Sequence, residues 1–125
     1  MADFPTKKYG VIYADPPWQF KLRSDKGKDK SPERHYPVLS LTDICRLPVN
    51  TITKDNAVLL MWVCDPMLDQ AFKVIDAWGF KYKTVGFTWA KTNKNTMGFF
   101  TGLGYWTRGN PEMCLLATRG RPKRI

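Results

Sequence analysis

Tyr9-Gly10-Val11-Ile12-Tyr13-Ala14-Asp15-Pro16-Pro17-Trp18 is the stretch on which the fold turns. Six β-favouring residues stop at an acid followed by two prolines, which cannot continue a strand ladder or a helix. The segment predicts a buried strand, Tyr9 to Ala14, that delivers the Asp15 carboxylate to its C-terminal end.

Downstream, residues 19–37 are charged and aperiodic and read as a long loop, a kind of segment that in a compact domain is usually functional or disordered. Ser40-Leu41-Thr42-Asp43 resembles a capping box with Asp in place of Glu, opening a short helix through Leu41, Ile44 and Leu47 that Pro48 stops. Ala57 to Cys64 is an unbroken apolar run without alternation, which predicts a strand covered on both faces. Asp65-Pro66 reads as the N-cap and first residue of a second helix. Its apolar face would be Leu68, Ala71, Phe72, Ile75 and Trp78, with Gly79 as the C-terminal stop. Lys83 to Lys91 and Glu112 to Thr118 are two further strands, separated by the glycine-rich, aromatic stretch from Met97 to Asn110. Strands alternating with helices in this way predict an α/β fold, mostly parallel, with the closely spaced last pair forming an antiparallel edge.

The 125 residues are enough for one domain and too few for two. A composition 43% hydrophobic and 25% charged excludes a disordered chain, and the longest apolar run is far too short to span a bilayer. The N-terminus lacks the apolar stretch of a secretory signal, which predicts a cytoplasmic protein. Cys45, Cys64 and Cys114, odd in number and widely spaced, predict reduced thiols. One histidine and no C-x-x-C pair argue against a metal site.

Twenty Lys plus Arg against eleven Asp plus Glu give a net charge of +9, which favours an anionic partner such as nucleic acid over a merely solubilising surface. The charge is clustered: Lys21, Arg23, Lys26, Lys28, Lys30 and Arg34 form one group, and Arg119, Arg121, Lys123 and Arg124 another. Beside a base pocket the first group suits phosphate contacts.

In open α/β sheets, ligands bind beyond the carboxyl ends of the strands, where Asp15 to Trp18 are expected. A carboxylate next to a proline-fixed carbonyl can accept both hydrogens of an amino group, and an adjacent indole offers a flat face to a flipped-out base. Such acceptors favour a more tetrahedral exocyclic nitrogen with its lone pair aimed at an incoming methyl group, without a strong base. The other reading of the same residues is a proline-stiffened turn in which Asp15 caps and Trp18 packs.

Asp15-Pro16-Pro17-Trp18 resembles the D-P-P-W signature of the N6-adenine methyltransferases related to the catalytic subunit of the messenger-RNA methyladenosine writer. The resemblance continues in order through His35-Tyr36-Pro37, Ser40-Leu41, Val58 to Val63, Ala77 to Phe80, Trp89 to Asn93, Gly104-Tyr105-Trp106 and Glu112 to Leu115. It implies a Rossmann-like class I methyltransferase sheet in permuted order, using S-adenosylmethionine. Asp15, Pro16, Pro17 and Trp18 would be catalytic, with Asp15 and the Pro16 carbonyl on the adenine amino group and Trp18 in the base pocket. Asp15 and Tyr36 would meet the methyl donor; Trp18, Tyr36, Lys91, Asn93 and Glu112 would meet the substrate. For Tyr36, Lys91 and Glu112 the alternatives are an exposed aromatic clamp, a solvated strand end and a surface cap. His35, the single histidine, is not required as a base and suits a loop hydrogen bond. The aromatics Phe99, Phe100, Tyr105 and Trp106 suit loop packing or a subunit contact more than base stacking.

Family members carry further sequence, including a Lys-Pro motif, that builds most of the donor pocket. The resemblance therefore implies a single domain over residues 1–125 that is truncated at its C-terminus and holds the catalytic, base-recognition half. Three readings stay open: a fragment, a shortened member completed by a homo- or hetero-oligomeric partner, and an inactive basic nucleic-acid-binding domain. Among substrates, the compact chain favours DNA over RNA.

Overall fold

The computed structural model describes residues 4–19, 38–94, 98 and 111–124. Strand β1 (Tyr9–Ala14) is followed by helix α1 (Leu41–Arg46), a 3-10 turn at Val49–Ile52 and strand β2 (Thr53–Val63). A second 3-10 turn at Asp65–Met67 leads into helix α2 (Leu68–Ala77), and strands β3 (Lys81–Trp89) and β4 (Glu112–Arg119) complete the sheet.

The strand order is β1-β2-β4-β3. β1 pairs with β2 in parallel, and β4 is antiparallel to both β2 and β3. Three strands therefore run one way and β4 alone runs against them. The α/β class and the predominance of one strand direction follow the sequence reading. The last pair, β3 and β4, is antiparallel and lies at an edge of the sheet as expected, with β3 outermost and β4 between β2 and β3, because the crossover through α2 carries β3 one place past β2.

Burial in β2 alternates. Ala57, Leu59, Met61 and Val63 are buried, while Val58, Leu60 and Trp62 are only half-buried. The expectation of cover on both faces is therefore corrected among the described residues. The buried side chains of β2 join Ile12, Leu115 and Ala117 in a core with Ile44 of α1 and Ala71, Val74 and Ile75 of α2. On the opposite face Tyr13 and Phe87 are exposed. The apolar run concealed this difference because both of its faces are hydrophobic. Thr53 to Asn56, polar residues without an apolar pattern, lengthen β2 beyond the apolar run.

The helix ends follow local chemistry. Ser40 Oγ accepts from the Asp43 N–H at 3.1 Å, capping α1. Asp65 is not a cap: Cys64 holds the N-cap position of the 3-10 turn and Pro66 follows Asp65 within it, so α2 begins only at Leu68. At the other end Gly79 adopts φ +85°, its N–H bonds to Asp76 O, and the Phe80 N–H bonds to Ile75 O. This is a Schellman closure that folds Phe80 into the core. On α2, Val74 is buried, whereas Phe72 stays exposed and packs edge-on against Tyr82 with ring centroids 5.0 Å apart. The three cysteines are free thiols. Among the described residues no helix is long and apolar enough to cross a membrane.

Candidate active site

Because β1, β2 and β3 share a direction, their carboxyl ends lie at one end of the sheet, together with the start of the opposed β4. That end gathers Asp15 after β1, Cys64 after β2, Lys91 after β3 and Glu112 at the head of β4. It is the end at which open α/β sheets bind ligands.

The turn after β1 is fixed by its prolines and by Trp18. The Trp18 N–H donates to Pro16 O at 2.8 Å, a bond spanning only Pro17, whose ring sets the backbone angle this tight turn needs. The Leu39 N–H donates to Pro17 O at 3.1 Å, and Trp18 forms a parallel bridge with Leu39. The indole lies in the core, 5% exposed, and its Nε1–H donates to Trp62 O at 2.9 Å. Trp18 thus bolts the Asp15 turn to β2. The base-platform role expected of it and the packing role both begin from this placement, and the indole observed here is a packed anchor. Pro16 is buried with its carbonyl holding one hydrogen bond, and a second lone pair remains. Pro17 is half-buried and Asp15 exposed.

Register sets which of the remaining groups meet. Trp62 pairs with Cys114, and Trp89 pairs with Glu112. Lys91, two residues beyond Trp89, reaches Glu112: Nζ and Oε1 are 3.0 Å apart, both side chains about one-third exposed. The Lys91 ammonium also lies 5.5 Å from the centroid of the Trp89 ring. Partial burial raises the Asp15 carboxyl above its ordinary value, and the Glu112 charge pushes it the same way. Burial lifts the Cys64 thiol to about 11. Cys114 is raised by burial and by the charge of Asp15. The two carboxylates and two thiols thus share one electrostatic neighbourhood.

Of the expected site residues, Asp15, Pro16, Pro17, Trp18, Lys91 and Glu112 stand at this end. Asn93 lies two residues past Lys91, its N–H donating to Gly98 O at 3.0 Å. Tyr36, His35, the basic group from Lys21 to Arg34 and the aromatics of 99–106 lie outside the described residues. The second basic group runs from Arg119 at the far end of β4, opposite Glu112. Trp62 was not anticipated. It accepts from Trp18 through its carbonyl, and its own Nε1–H donates to the Tyr13 hydroxyl at 2.6 Å. Both bonds depend on the β1–β2 register, which no local pattern reveals. Among the described residues no group of three or more His, Cys, Asp or Glu side chains is placed to hold a metal ion.

The family model described as MT-A70 matches residues 9–125, nearly the whole chain. The chain belongs to the MT-A70 family. Its relatives include the type II methyltransferase M.MunI of a Mycoplasma species, 35% identical over 94% of this chain and 54% of the relative. The N(6)-adenosine-methyltransferase catalytic subunit METTL3 of Homo sapiens is 26% identical over 93% of the chain and 18% of its own length. An MT-A70-like N(6)-adenosine-methyltransferase of Arabidopsis thaliana is 27% identical over 92% and 15% respectively. This MT-A70 chain thus spans about half of the bacterial relative and less than a fifth of the others. The D-P-P-W residues, Lys91 and Glu112 fall within the matched region.

Proposed function

We propose that this MT-A70 chain carries the base-recognition half of an S-adenosylmethionine-dependent methyltransferase acting on the N6 amino group of adenine in nucleic acid, DNA ahead of RNA. The observation that carries the reading is the Asp15–Pro16 pair of acceptors, projected from the carboxyl end of β1 and held there by the buried Trp18.

Two carboxylates, Asp15 and Glu112, with Lys91 as the one ammonium paired among them, leave the described cluster net negative. That donor set fits a cationic sulfonium, so S-adenosylmethionine suits the site, and Asp15 would help to hold it. When bound, S-adenosylmethionine supplies an electrophilic methyl group. The rest is done by the chain. Asp15 and the Pro16 carbonyl each accept one hydrogen of the adenine amino group, drawing nitrogen towards a tetrahedral shape and turning its lone pair outward. The proton released after transfer passes to water, since an amino group bonded in this way needs no strong base before attack. Lys91 and Asn93, at the edge of the cluster, contact base or backbone, and Glu112 lies beside the target nucleotide. The preference for DNA is supported by the greater identity to a bacterial type II methyltransferase than to the adenosine methyltransferases of animals and plants.

The test is transfer of a radiolabelled methyl group from S-adenosylmethionine to adenine-containing oligonucleotides. Transfer by the chain and its loss in Asp15→Ala are expected; no transfer above background by the chain itself sinks the reading as an activity of these residues. Salt-sensitive oligonucleotide binding without donor binding would then favour an inactive basic binding domain.

A further inference from the structure

Lys91 and Glu112 form an ion pair on the β3 side of this end of the sheet, and the substrate contacts proposed for each do not by themselves require the two to be joined. Asp15 follows the Ala14–Met61 pair, Trp62 pairs with Cys114, and Glu112 lies two residues from Cys114, so the pleat turns Asp15, Cys114 and Glu112 to the same face. Lys91, two residues past the Trp89–Glu112 pair, sits on the outer side of Glu112. Its ammonium is fixed there both by Glu112 Oε1 at 3.0 Å and by the Trp89 ring.

We propose that Lys91 is a positioning residue: by holding the Glu112 carboxylate towards β3 and cancelling part of its field, it lessens the repulsion felt by Asp15, the acceptor for the substrate amino group. The inference rests on the function proposed above, in which Asp15 is that acceptor. Among the described residues, the groups acting on Asp15 lie on β4. Glu112 of β4 acts on it directly, and Asp15 in turn acts on Cys114 of the same strand. Cys64, after β2, feels both Glu112 and its neighbour Asp65, and its thiol is neutral at physiological pH. Lys91 is the described cation bonded into this group. A bare Glu112 would set two like charges against one another, and like charges disfavour ionisation of the weaker site.

The deciding experiment is a pH titration of the Asp15 side-chain carboxyl by carbon-13 NMR, with its resonance identified by its loss in Asp15→Asn. It is run on the full chain and on Lys91→Met, Lys91→Arg and Glu112→Gln. The midpoint is expected to fall in Glu112→Gln, to rise in Lys91→Met and to stay near the parent in Lys91→Arg. A midpoint unchanged in Lys91→Met, or unchanged in Glu112→Gln, overturns the proposal. Lys91 would then act solely as the substrate contact named above, its loss weakening oligonucleotide binding alone. The titration needs no turnover, so its failure is separable from failure of the methyltransferase reading. A partly unfolded Lys91→Met is recognised by its collapsed amide dispersion, and Glu112→Gln with Lys91→Arg then carry the test.

Discussion

At one end of the sheet β4 is tied down; at the other its charges face one another. Around Gly120, the Arg121 N–H donates to Asn56 Oδ1 at 2.9 Å and Arg119 Nη1 donates to Asn50 Oδ1 at 2.7 Å. Just below, the buried Thr53 hydroxyl donates to Val49 O at 2.7 Å. At the Asp15 end, Asp15 and Glu112 repel and two thiols are raised by burial and nearby charge, while the Lys91–Glu112 ion pair and the bonds of the Trp18 and Trp62 indoles hold the described residues in place. The two ends are about 24 Å apart along β4 at roughly 3.4 Å per residue. The comparison teaches that both ends are held by polar bonds, and that the end where ligands bind is set apart by the repulsion it holds between like charges. Perturbed ionisation of that kind clusters at functional sites.

Four changes break or sharpen the contrast. Trp18→Ala is the largest. It removes a core side chain and the bond to Trp62, so urea unfolding should show a loss of about 3–5 kcal/mol, and oligonucleotide methylation should fall further than the unfolded fraction explains. Gly120→Ala is next. The residue has φ +65°, and a Cβ there would collide with Asn56 Oδ1 and Asp55 O. A loss of about 2 kcal/mol is expected, with methylation per folded molecule unchanged because the site is a strand's length away. Equal effects of both on methylation would erase the distinction between the two ends.

The titrating groups give smaller effects. The Cys64 thiol titrates at about 11 against 9.0 when unfolded. The unfolded thiol therefore ionises first, and the stability this group contributes is intact below pH 9 and lost as pH rises from 9 towards 11. Correspondingly, iodoacetamide should modify Cys64 slowly at pH 8, accelerating only well above the range of an ordinary thiol, as peptide mass spectrometry would show. Asp15 is raised above 3.8, so its unfolded form ionises first and the folded state loses ground as pH climbs past that value. Asp15→Asn should therefore melt slightly higher than the parent at pH 7, with the gap closing below pH 4.

Much of this was legible from local chemistry. The six residues before Asp15 could only be a strand stopped by prolines, Ser40 named its own cap, and Gly79 its own helix end. The D-P-P-W turn announced a carboxylate at a strand end. What local chemistry could not convey was non-local. Nothing near Glu112 says that β4 inserts between β2 and β3, and it is this insertion that brings Glu112 across to Lys91 and within the field of Asp15. Trp18 shows the same limit: beside an acid and two prolines an indole suits a base platform, whereas the β1–β2 pairing makes it a buried anchor. The apolar run of β2 disguised a one-sided core because hydrophobic residues alternate with hydrophobic residues.

The central claim is that Asp15 accepts from an adenine amino group during methyl transfer. Nucleoside mass spectrometry of an oligonucleotide incubated with S-adenosylmethionine and either the chain or Asp15→Ala tests it most directly. N6-methyladenine from the parent, reduced about 100-fold or more in a fully folded Asp15→Ala, is the predicted result. N6-methyladenine formed equally well by Asp15→Ala, or a methyl group found on another atom, would contradict it.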